Sequence, residues 1–505
     1  MTIVGVDDTD SRSLGMCTTY LATRLAERIR EHGGTVERRL LIRLNPAIEH
    51  KTRGNAALAL HTDMPAADAF ALAREEIDAR SIGDDPRTSP GVVVADVAVA
   101  DAGTIGPSEE GRSADERRGI PPAVAEFAED ALRRRHDLDD ALSLIDSHGM
   151  FHAGFAAEGC DTEGRGRIGA LAAVGAFAAF EEWTHEHIAY REFDRCGTPR
   201  SVDVDSVLEA ADSAYPTVWD TADRDAGTAV CVPNAPGPIL YGIRGDDPEA
   251  CRAVADRIDS EPVDRSATFL TNQGTDAHLA SGSIGSLRDG AGYRVDCVVC
   301  SPPETRRGGH VFLEVTSPRL ADRLRPDSPE FDPSLLESVT SPPADERLLA
   351  AAFEPTKRFR DRVRNLRVGD RLTVCGEVSR RERGREAPSD SDRPSDESGR
   401  STNGLARSTD GPDRTIKLEK FALRDPVRTE RVNPTCPSCG RSMASAGRDQ
   451  GYRCRDCGTH ADERDRRRID RDLKPGWYEV PPCARRHVAK PLVRGGFDAS
   501  IHPER

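Results

Sequence analysis

Hydrophobic and polar positions follow an α/β pattern in the first part of the chain. Residues 2–6 (TIVGV) are apolar and predict a short buried strand. From Thr18 to about His32, apolar residues recur at helical spacing and stop at a Gly-Gly pair, which predicts an amphipathic helix. Similar patterns predict strands at 38–44, 55–61 and 91–99 and a helix near 65–80.

The pattern then changes twice. A helix is predicted from Ile168 to about Glu182, and two strands at Thr228–Val232 and Ile239–Ile243 predict a smaller α+β domain. From about residue 284, short strands with one helix before the last two predict a Greek-key barrel of the OB type. Residues 380–414 are rich in Ser, Asp, Arg, Gly and Pro and predict a disordered insertion.

Composition indicates the salt conditions and the cellular compartment in which the protein works. The formal charge of the 505 residues is −15, with 86 acidic and 71 basic residues, and only six of the basic residues are lysines. An Asp- and Arg-rich surface is typical of a protein kept soluble in concentrated salt, so we expect a halophile. There is no run of eighteen apolar residues and no signal peptide, which predicts a cytoplasmic protein without a membrane partner.

Four of the 13 cysteines form two CxxC pairs. Two thiolates of each pair can reach one ion, and four thiolates satisfy tetrahedral Zn²⁺ without an open position. We therefore predict a structural zinc site in preference to four ordinary free cysteines. Its ligands are Cys436, Cys439, Cys454 and Cys457.

Three carboxylates, Asp7, Asp8 and Asp10, follow the first strand directly. Such a group can hold Mg²⁺ against nucleotide phosphates, although a solvated acidic turn explains the spacing equally well. A phosphatase DxDxT motif is disfavoured because Arg12 stands where its threonine belongs. Thr18, at the start of the next helix, is either an N-cap or a phosphoryl acceptor; its position alone favours the cap.

Cations and glycines on short connections suggest phosphate contacts. Lys51 and Arg53 lie close to a glycine, and residues 164–167 combine two glycines with two arginines before a helix. The second group comprises Gly164, Arg165, Gly166 and Arg167. A helix N-terminus and close backbone approach suit a nucleotide phosphate, while a flexible turn is the alternative.

The last part of the chain interleaves aromatic and basic residues. Aromatic rings stack on bases while cations contact phosphates, so this pattern predicts RNA binding; packing of the tail onto the barrel is the alternative. The residues concerned are Trp477, Tyr478, Arg485, Arg486 and Lys490.

Together these segments resemble the archaeal 2-agmatinylcytidine synthetase family. The matching motifs are GVDDTDS, GMCTTYLA, RLNPAIEHKTRGN, GRGRIGALAAVGA, ILYGIRG, TNQGTDAH and RRHVAKPL, which run in order along the whole chain. The resemblance implies a multidomain α/β and α+β fold. Its parts are a kinase-like ATP/Mg domain (1–192), a ferredoxin-like domain (193–283), an OB fold (284–428), a zinc ribbon (429–473) and a basic, aromatic tail (474–505).

The resemblance also implies a reaction. The family uses ATP to place a phosphoryl group on the 2-carbonyl of the wobble cytidine in the isoleucine tRNA with a CAU anticodon. Agmatine then displaces phosphate, AMP and phosphate are released, and the tRNA reads AUA instead of AUG. Thr18 matches the family's phosphoryl-accepting threonine. In this reaction, Mg²⁺ on Asp7, Asp8 and Asp10 would neutralise charge on the transferred phosphoryl group, with Lys51, Arg53 and the 164–167 loop as further phosphate contacts.

The agmatine contacts follow less closely from the resemblance. A guanidinium calls for carboxylates and an aromatic face, which suggests Tyr215, Asp220 and Asp223. Here the chain departs from the family, because Val218-Trp219-Asp220 replaces an aromatic-Asn-Asn run. Two other functions stay open: a non-catalytic RNA-binding protein built on the OB fold and ribbon, and a Mg²⁺-dependent small-molecule kinase or phosphatase.

Overall fold

The computed structural model describes most of the chain as two compact units. The described residues are 1–11, 15–49, 54–81, 88–97, 119–155, 164–326, 328, 330–332, 343–380, 412–447, 450–486 and 488–505. The first unit comprises Met1–Ala280, Gly290–Gly292 and Tyr478–Arg505, and the second comprises Ser281–Asp289 and Tyr293–Trp477. The insertion predicted at 380–414 lies almost entirely outside the described residues. Within them, no helix has both the length and the apolar character needed to cross a membrane.

The first unit is built on one mixed β-sheet. Its strands are β1 (Thr2–Asp7), β2 (Val36–Arg43), β3 (Ala56–Thr62), β4 (Gly91–Asp96), β5 (Phe151–Gly154), β6 (Thr184–Tyr190), β7 (Val218–Trp219), β8 (Ala222–Asp223), β9 (Thr228–Ala229), β10 (Ile239–Gly245) and β11 (Arg265–Thr271). Nine of them pair in the order β5-β4-β1-β3-β2-β11-β6-β10-β7, with β11 parallel to β2. The strand predicted at Ile239–Ile243 for the smaller α+β part is β10, which therefore shares one sheet with the strands of the α/β part, whereas β8 and β9 pair in a separate two-stranded sheet. The strand predicted at Thr228–Val232 is only two residues long in β9.

Helices pack on this sheet, the first five of them on the two faces of its α/β part and the last two beside β6 and β10. They are α1 (Thr18–Glu31), α2 (Ala66–Arg80), α3 (Pro122–Asp130), α4 (Leu138–Ser147), α5 (Arg167–Ala179), α6 (Val204–Ala214) and α7 (Pro248–Ala255). The helices predicted at 18–32 and 65–80 are confirmed as α1 and α2. One apolar cluster joins the sheet to α3, α4 and α5, and another joins it to α1 and α2. Helix α5 lies very close to β1, since a Cβ on Gly5 would sit 2.2 Å from the Ala170 carbonyl oxygen.

A buried ion-pair group connects three strands of the sheet. The Glu186 carboxylate of β6 lies 3.4 Å from the Arg43 guanidinium of β2 and 3.3 Å from that of Arg244 on β10. Burial by itself would raise the pKa of Glu186, but the charges of Arg244 and Arg43 outweigh it and lower that pKa. Removing either partner of such a buried pair leaves an uncompensated charge. These contacts therefore stabilise the positions of β2, β6 and β10 relative to one another.

The second unit contains a closed five-stranded barrel and a zinc-ribbon domain. Strands β13 (Gly292–Val299), β15 (Val311–Thr316), β16 (Arg347–Ala352), β18 (Arg414–Asp425) and β17 (Arg371–Arg380) pair in that order, and β17 also pairs with β13. The short β12 (Leu279–Gly282) and β14 (Glu304–Thr305) and helices α8 (Ala321–Leu324) and α9 (Phe359–Arg364) complete this part. The ribbon and tail contain β19 (Thr429–Val432), β20 (Ala444–Ser445), β21 (Tyr452–Arg453), β22 (His460–Ala461), β23 (Asp465–Arg468), β24 (Gly476–Glu479) and β25 (Ile501–His502).

A buried histidine makes the first unit sensitive to acid. His61 of β3 is 0% exposed, its ring packs edge-on against Phe177, and neither ring nitrogen has a hydrogen-bond partner among the described residues. Burial, assisted by the charge of Arg38, lowers its pKa to about 3. In the unfolded chain the imidazole of this histidine takes up a proton below a pH of about 6.5, whereas in the folded protein it does so only near pH 3. The free energy of unfolding therefore falls by about 1.4 kcal/mol for each pH unit between 6.5 and 3.

We therefore expect His61→Leu to reduce the loss of unfolding free energy between pH 7 and pH 5 by about 2 kcal/mol. Urea titrations at both pH values measure this difference. His148→Gln, at an exposed position in the same unit, is the control. If the free energy of unfolding depended on pH equally in the wild type and in His61→Leu, the low pKa assigned to His61 would be contradicted.

Candidate active site and zinc centre

A cavity of about 280 Å³ lies where β1, α1 and the start of α5 meet. Six of the predicted site residues, contributed by three separate segments of the chain, line this one cavity. They are Asp7, Asp8, Asp10, Thr18, Arg165 and Gly166.

The first two carboxylates of the cavity are held differently. Asp7 accepts the Asp8 N–H at 2.7 Å, and its pKa is raised well above the usual value by burial and by the charges of Asp8 and Asp10. Asp8 has a left-handed backbone (φ 58°), and its Oδ2 accepts from the Arg165 guanidinium at 3.1 Å and from the Ser89 N–H at 3.2 Å. Non-glycine residues in this conformation are uncommon and concentrate at functional sites.

The third carboxylate holds the Thr18 hydroxyl. Asp10 Oδ1 accepts from Thr18 Oγ1 at 2.9 Å and from the Thr18 N–H at 2.5 Å, while the Thr9 hydroxyl donates to Thr18 Oγ1 at 3.1 Å. The N-cap residue of α1 is Cys17. The N-cap interpretation of Thr18 is therefore wrong: Asp10 satisfies the free N–H at the helix start, and the threonine oxygen lies beside a carboxylate that can accept its proton.

The three carboxylates differ in their fit to magnesium. The four ribbon cysteines are the only group of three or more His, Cys, Asp or Glu side chains close enough to share a metal within the described ranges, so the three aspartates do not converge on one point. Oδ1 of Asp10 already accepts two hydrogen bonds from Thr18. Asp7, by contrast, feels the repulsion of two like charges, which a cation would relieve, and it offers the oxygen atoms that Mg²⁺ prefers.

The glycine loop before α5 serves packing more than phosphate contact. A Cβ on Gly166 would lie 2.7 Å from the Asp7 carbonyl oxygen, because this loop packs directly onto the end of β1. Two N–H groups of the loop are already used, since those of Arg165 and Gly166 donate to Ser89 Oγ and O at 3.0 and 2.8 Å. Arg167 donates to the Gly164 carbonyl at 2.9 Å, and neither of these two residues lines the cavity.

One wall of the cavity was not predicted, and Lys51 and Arg53, which were predicted to lie near it, are outside the described residues. Residues from the end of α3 to the first residue of α4 line the cavity and combine cations with an apolar surface, although no sequence motif marks them. They are Ala131, Arg134, Arg135, His136, Asp137 and Leu138, opposite Leu44, Ile48 and Ile168.

The residues predicted for agmatine already have partners within the chain. Asp220 is buried, has φ 55°, and accepts from the Arg485 guanidinium. Asp223 is 0% exposed and accepts from the N–H groups of Ala226 and Cys483 at 3.0 and 3.4 Å, so its assignment as a guanidinium partner is wrong. The Tyr215 ring carries a guanidinium already, that of Arg505, at 4.0 Å from its centroid.

The structure also contradicts most of the predicted RNA contacts of the tail. Trp477 is 0% exposed, with the cationic groups of Arg294, Lys420 and Arg424 at 5.3, 5.8 and 4.9 Å from its ring, so it cannot stack on a base as it stands. Trp477 therefore packs onto barrel strands β13 and β18, as the alternative interpretation held for the tail.

Other tail residues also contact partners within the chain. Tyr478 is 5% exposed and stacks on His502. Arg485 is buried between two carboxylates, and Lys490 donates to Glu182 at 2.8 Å. The RNA-binding assignment is therefore wrong for Tyr478 and Arg485. For the half-buried Arg486 and Lys490 it stays a prediction.

The four predicted zinc ligands converge in the second unit. Their sulfur atoms all lie within 4.8 Å of one another. Two equivalent turns present them: the N–H groups of Gly440 and Gly458 donate to the Cys436 and Cys454 carbonyls at 2.8 and 3.0 Å. Both glycines have positive φ (72° and 75°), where a side chain is strained. Four sulfur donors in this arrangement fit tetrahedral Zn²⁺.

We expect Cys454→Ser to weaken zinc binding at least about a hundredfold, because it removes one of four thiolates from a closed site. The ribbon should lose amide-exchange protection while the thermal unfolding of the first unit stays unchanged. Metal analysis and hydrogen exchange measure these effects. The control is Cys483→Ser, at an exposed cysteine outside the cluster; full zinc content in Cys454→Ser would contradict the site.

Family models match three parts of the chain. The TiaS TCKD domain matches residues 3–64, the TiaS FLD domain matches residues 164–278, and the TiaS C-terminal zinc ribbon domain matches residues 433–473. These matches include the aspartates of β1, the loop before α5, and all four cysteines.

Full-length relatives and solved structures agree with these matches. The isoleucine-tRNA 2-agmatinylcytidine synthetase TiaS of Haloquadratum walsbyi is 52% identical, with 100% of both chains covered. That of Archaeoglobus fulgidus is 37% identical, with 97% of each covered. A crystal structure of apo TiaS, a tRNA agmatidine synthetase, is 35% identical with a TM-score of 0.73, covering 99% of this chain and 100% of that one. A crystal structure of TiaS in complex with its isoleucine tRNA, AMPCPP and agmatine is 33% identical with a TM-score of 0.72, covering 100% and 99%. The chain belongs to the 2-agmatinylcytidine synthetase TiaS family.

Proposed function

We propose that the chain is an ATP-dependent ligase that forms 2-agmatinylcytidine at the wobble cytidine of the isoleucine tRNA with a CAU anticodon. The observation that carries the mechanism is the Thr18 hydroxyl, held by the Asp10 carboxylate at 2.9 Å in a cavity shared with Asp7 and Asp8. This arrangement pairs a nucleophile with a base beside further negative groups that suit a metal-bound phosphate.

ATP is expected in this cavity. Its apolar wall, with Leu44, Ile48 and Leu138, suits the adenine, and the nearby guanidinium groups of Arg134 and Arg165 suit the phosphates. Asp7 and Asp8 would hold Mg²⁺. When bound, the ion would neutralise the negative charge that develops on the transferred phosphoryl group.

Phosphoryl transfer makes the base reactive. When the Thr18 oxygen attacks the γ-phosphorus of ATP, its proton passes to Asp10, and the bond to the bridging oxygen breaks so that this oxygen leaves with the β-phosphorus. Transfer of the phosphoryl group from Thr18 to the 2-oxygen of cytosine breaks the bond between phosphorus and the Thr18 oxygen, which takes its proton back from Asp10. The phosphoryl group converts that 2-oxygen from a poor leaving group into a good one. The amine of agmatine then bonds to C2, the C2–O bond breaks, and phosphate leaves with that oxygen.

Domain roles follow from this assignment. We assign the part around β1–β6 to a kinase-like domain (1–192) and the part around β7–β11 to a ferredoxin-like domain (193–283) that binds agmatine. The closed barrel is assigned to an OB fold (284–428), which with the ribbon (429–473) contacts the tRNA. Of the tail (474–505), Tyr478–Arg505 belongs to the first unit.

Mass spectrometry of the isoleucine tRNA with a CAU anticodon tests the function. After incubation with the protein, ATP, Mg²⁺ and agmatine, the wobble cytidine should gain the mass of agmatine minus water. Binding of tRNA without product would favour a non-catalytic RNA-binding protein. ATP turnover that ignores tRNA and agmatine would favour a small-molecule kinase or phosphatase.

A further inference from the structure

An arginine of the chain occupies the predicted amine site. The Arg505 guanidinium carbon lies 4.0 Å from the Tyr215 ring centroid, and its Nη2 lies 2.9 Å from Asp212 Oδ1. Arg505 lines a cavity of about 30 Å³ together with Tyr215, Asp212 and Asp220. With the Arg505 side chain in place, the free space beside these residues is too small for a second guanidinium and its methylenes.

Backbone contacts hold the segment in place. The Arg505 carbonyl accepts from the Arg224 N–H at 3.0 Å, and the Glu504 N–H donates to the buried Glu479 carboxylate at 3.2 Å. These two hydrogen bonds fix the backbone of residues 504–505. The contact between the Arg505 guanidinium and the Tyr215 ring therefore does not depend on the side-chain conformation alone.

The site has the features that a guanidinium needs. Asp212 and Tyr215 are three residues apart at the C-terminal end of α6, so the carboxylate and the ring lie on the same side of the helix and near its negative end. A planar cation binds to an aromatic face and pairs with a carboxylate at the same time. Asp212 also accepts from Arg224 Nε at 2.9 Å, but its side chain is 45% exposed; the Asp220 side chain is less suited, because it is buried against Arg485.

Agmatine is arginine without its carboxyl group. Its guanidinium and the three adjoining methylenes are identical to the Arg505 side chain. A site that binds one therefore binds the other, and both cannot be there together.

We propose that Asp212 and Tyr215 form a guanidinium-binding site, which Arg505 fills in the free protein and from which agmatine must displace it. This inference rests on the proposed function. A tethered competitor is present at a high effective concentration, so it lowers the fraction of protein able to bind the amine and raises the apparent KM. It leaves kcat at saturating agmatine unchanged.

The full-length protein and four variants test this competition. Agmatine KM and kcat are measured at saturating tRNA and ATP, and agmatine Kd is measured by calorimetry. Arg505→Ala should lower KM and Kd about three- to tenfold with kcat unchanged, and Arg505→Lys should fall between it and the wild type. Tyr215→Ala should raise both constants. Arg252→Ala, which removes an exposed arginine of α7, should match the wild type.

The opposite results are distinguishable. Unchanged or raised KM and Kd in Arg505→Ala would overturn the competition, even if Tyr215→Ala showed that the amine binds there. Unchanged constants in both variants would place the amine elsewhere and also overturn it. Absence of 2-agmatinylcytidine with the wild type would instead reject the proposed function.

Discussion

Asp8→Asn is expected to reduce formation of 2-agmatinylcytidine at least about a thousandfold while leaving tRNA binding within a factor of two. Asparagine has the shape of aspartate and tolerates the left-handed backbone found at Asp8 (φ 58°), so the fold should survive. The change removes the negative charge that pairs with Arg165 at 3.1 Å and that we assign to Mg²⁺. Product is measured by tRNA mass spectrometry and tRNA affinity by filter binding.

The matched control is Asp78→Asn, at an exposed position on α2. It makes the same change in net charge far from the cavity, and we expect wild-type rates. A product yield for Asp8→Asn close to that of the control would rule out an essential role for the Asp8 carboxylate.

Thr18→Val is expected to abolish phosphorylation of the protein by ATP labelled at the γ-phosphate, and to lower product formation by a similar factor of about a thousand. Valine has the same shape but no oxygen for the Asp10 carboxylate to hold at 2.9 Å. Thr18→Ser keeps the hydroxyl, so it should retain activity within about tenfold. Autoradiography of the protein and mass spectrometry of the tRNA measure the two effects.

Loss of a buried hydroxyl also costs stability, about 1 to 3 kcal/mol, so thermal unfolding of Thr18→Val must be compared with activity. Thr19→Val provides the matched control: its hydroxyl contacts the Cys17 sulfur at 3.2 Å and does not contact Asp10. Label on the Thr18→Val protein equal to that on Thr19→Val would show that another residue accepts the phosphoryl group.

Local patterns predicted the features that depend on neighbouring residues in the chain. The four cysteines converge because each CxxC turn brings two sulfur atoms to one side and one tetrahedral ion satisfies two such turns. Asp7, Asp8, Asp10 and Thr18 share a cavity because β1 and α1 are adjacent in sequence. The resemblance to the family added the reaction, which no spacing alone specified.

Features that depend on distant contacts were missed. Strand β16 has the sequence RLLAAA, whose residues favour helix, and only its pairing with β15 and β18 makes it a strand. The wall at 131–138 carries no motif and reaches the cavity through the packing of α3 on α5. Trp477 and Arg485 suited RNA contact and internal packing equally well by composition, and burial decides between the two.

The shared sheet has a consequence for how the substrates meet. Because β2 and β11 are hydrogen-bonded neighbours and Glu186 pairs with both Arg43 and Arg244, the cavity proposed for ATP and the site proposed for agmatine belong to one continuous sheet. A rotation that brought the two sites closer would break the hydrogen bonds between β2 and β11 and leave the buried charge of Glu186 without a partner. The wobble nucleotide must therefore travel to the reagents, turned out of its loop into a geometry that is set when the protein folds.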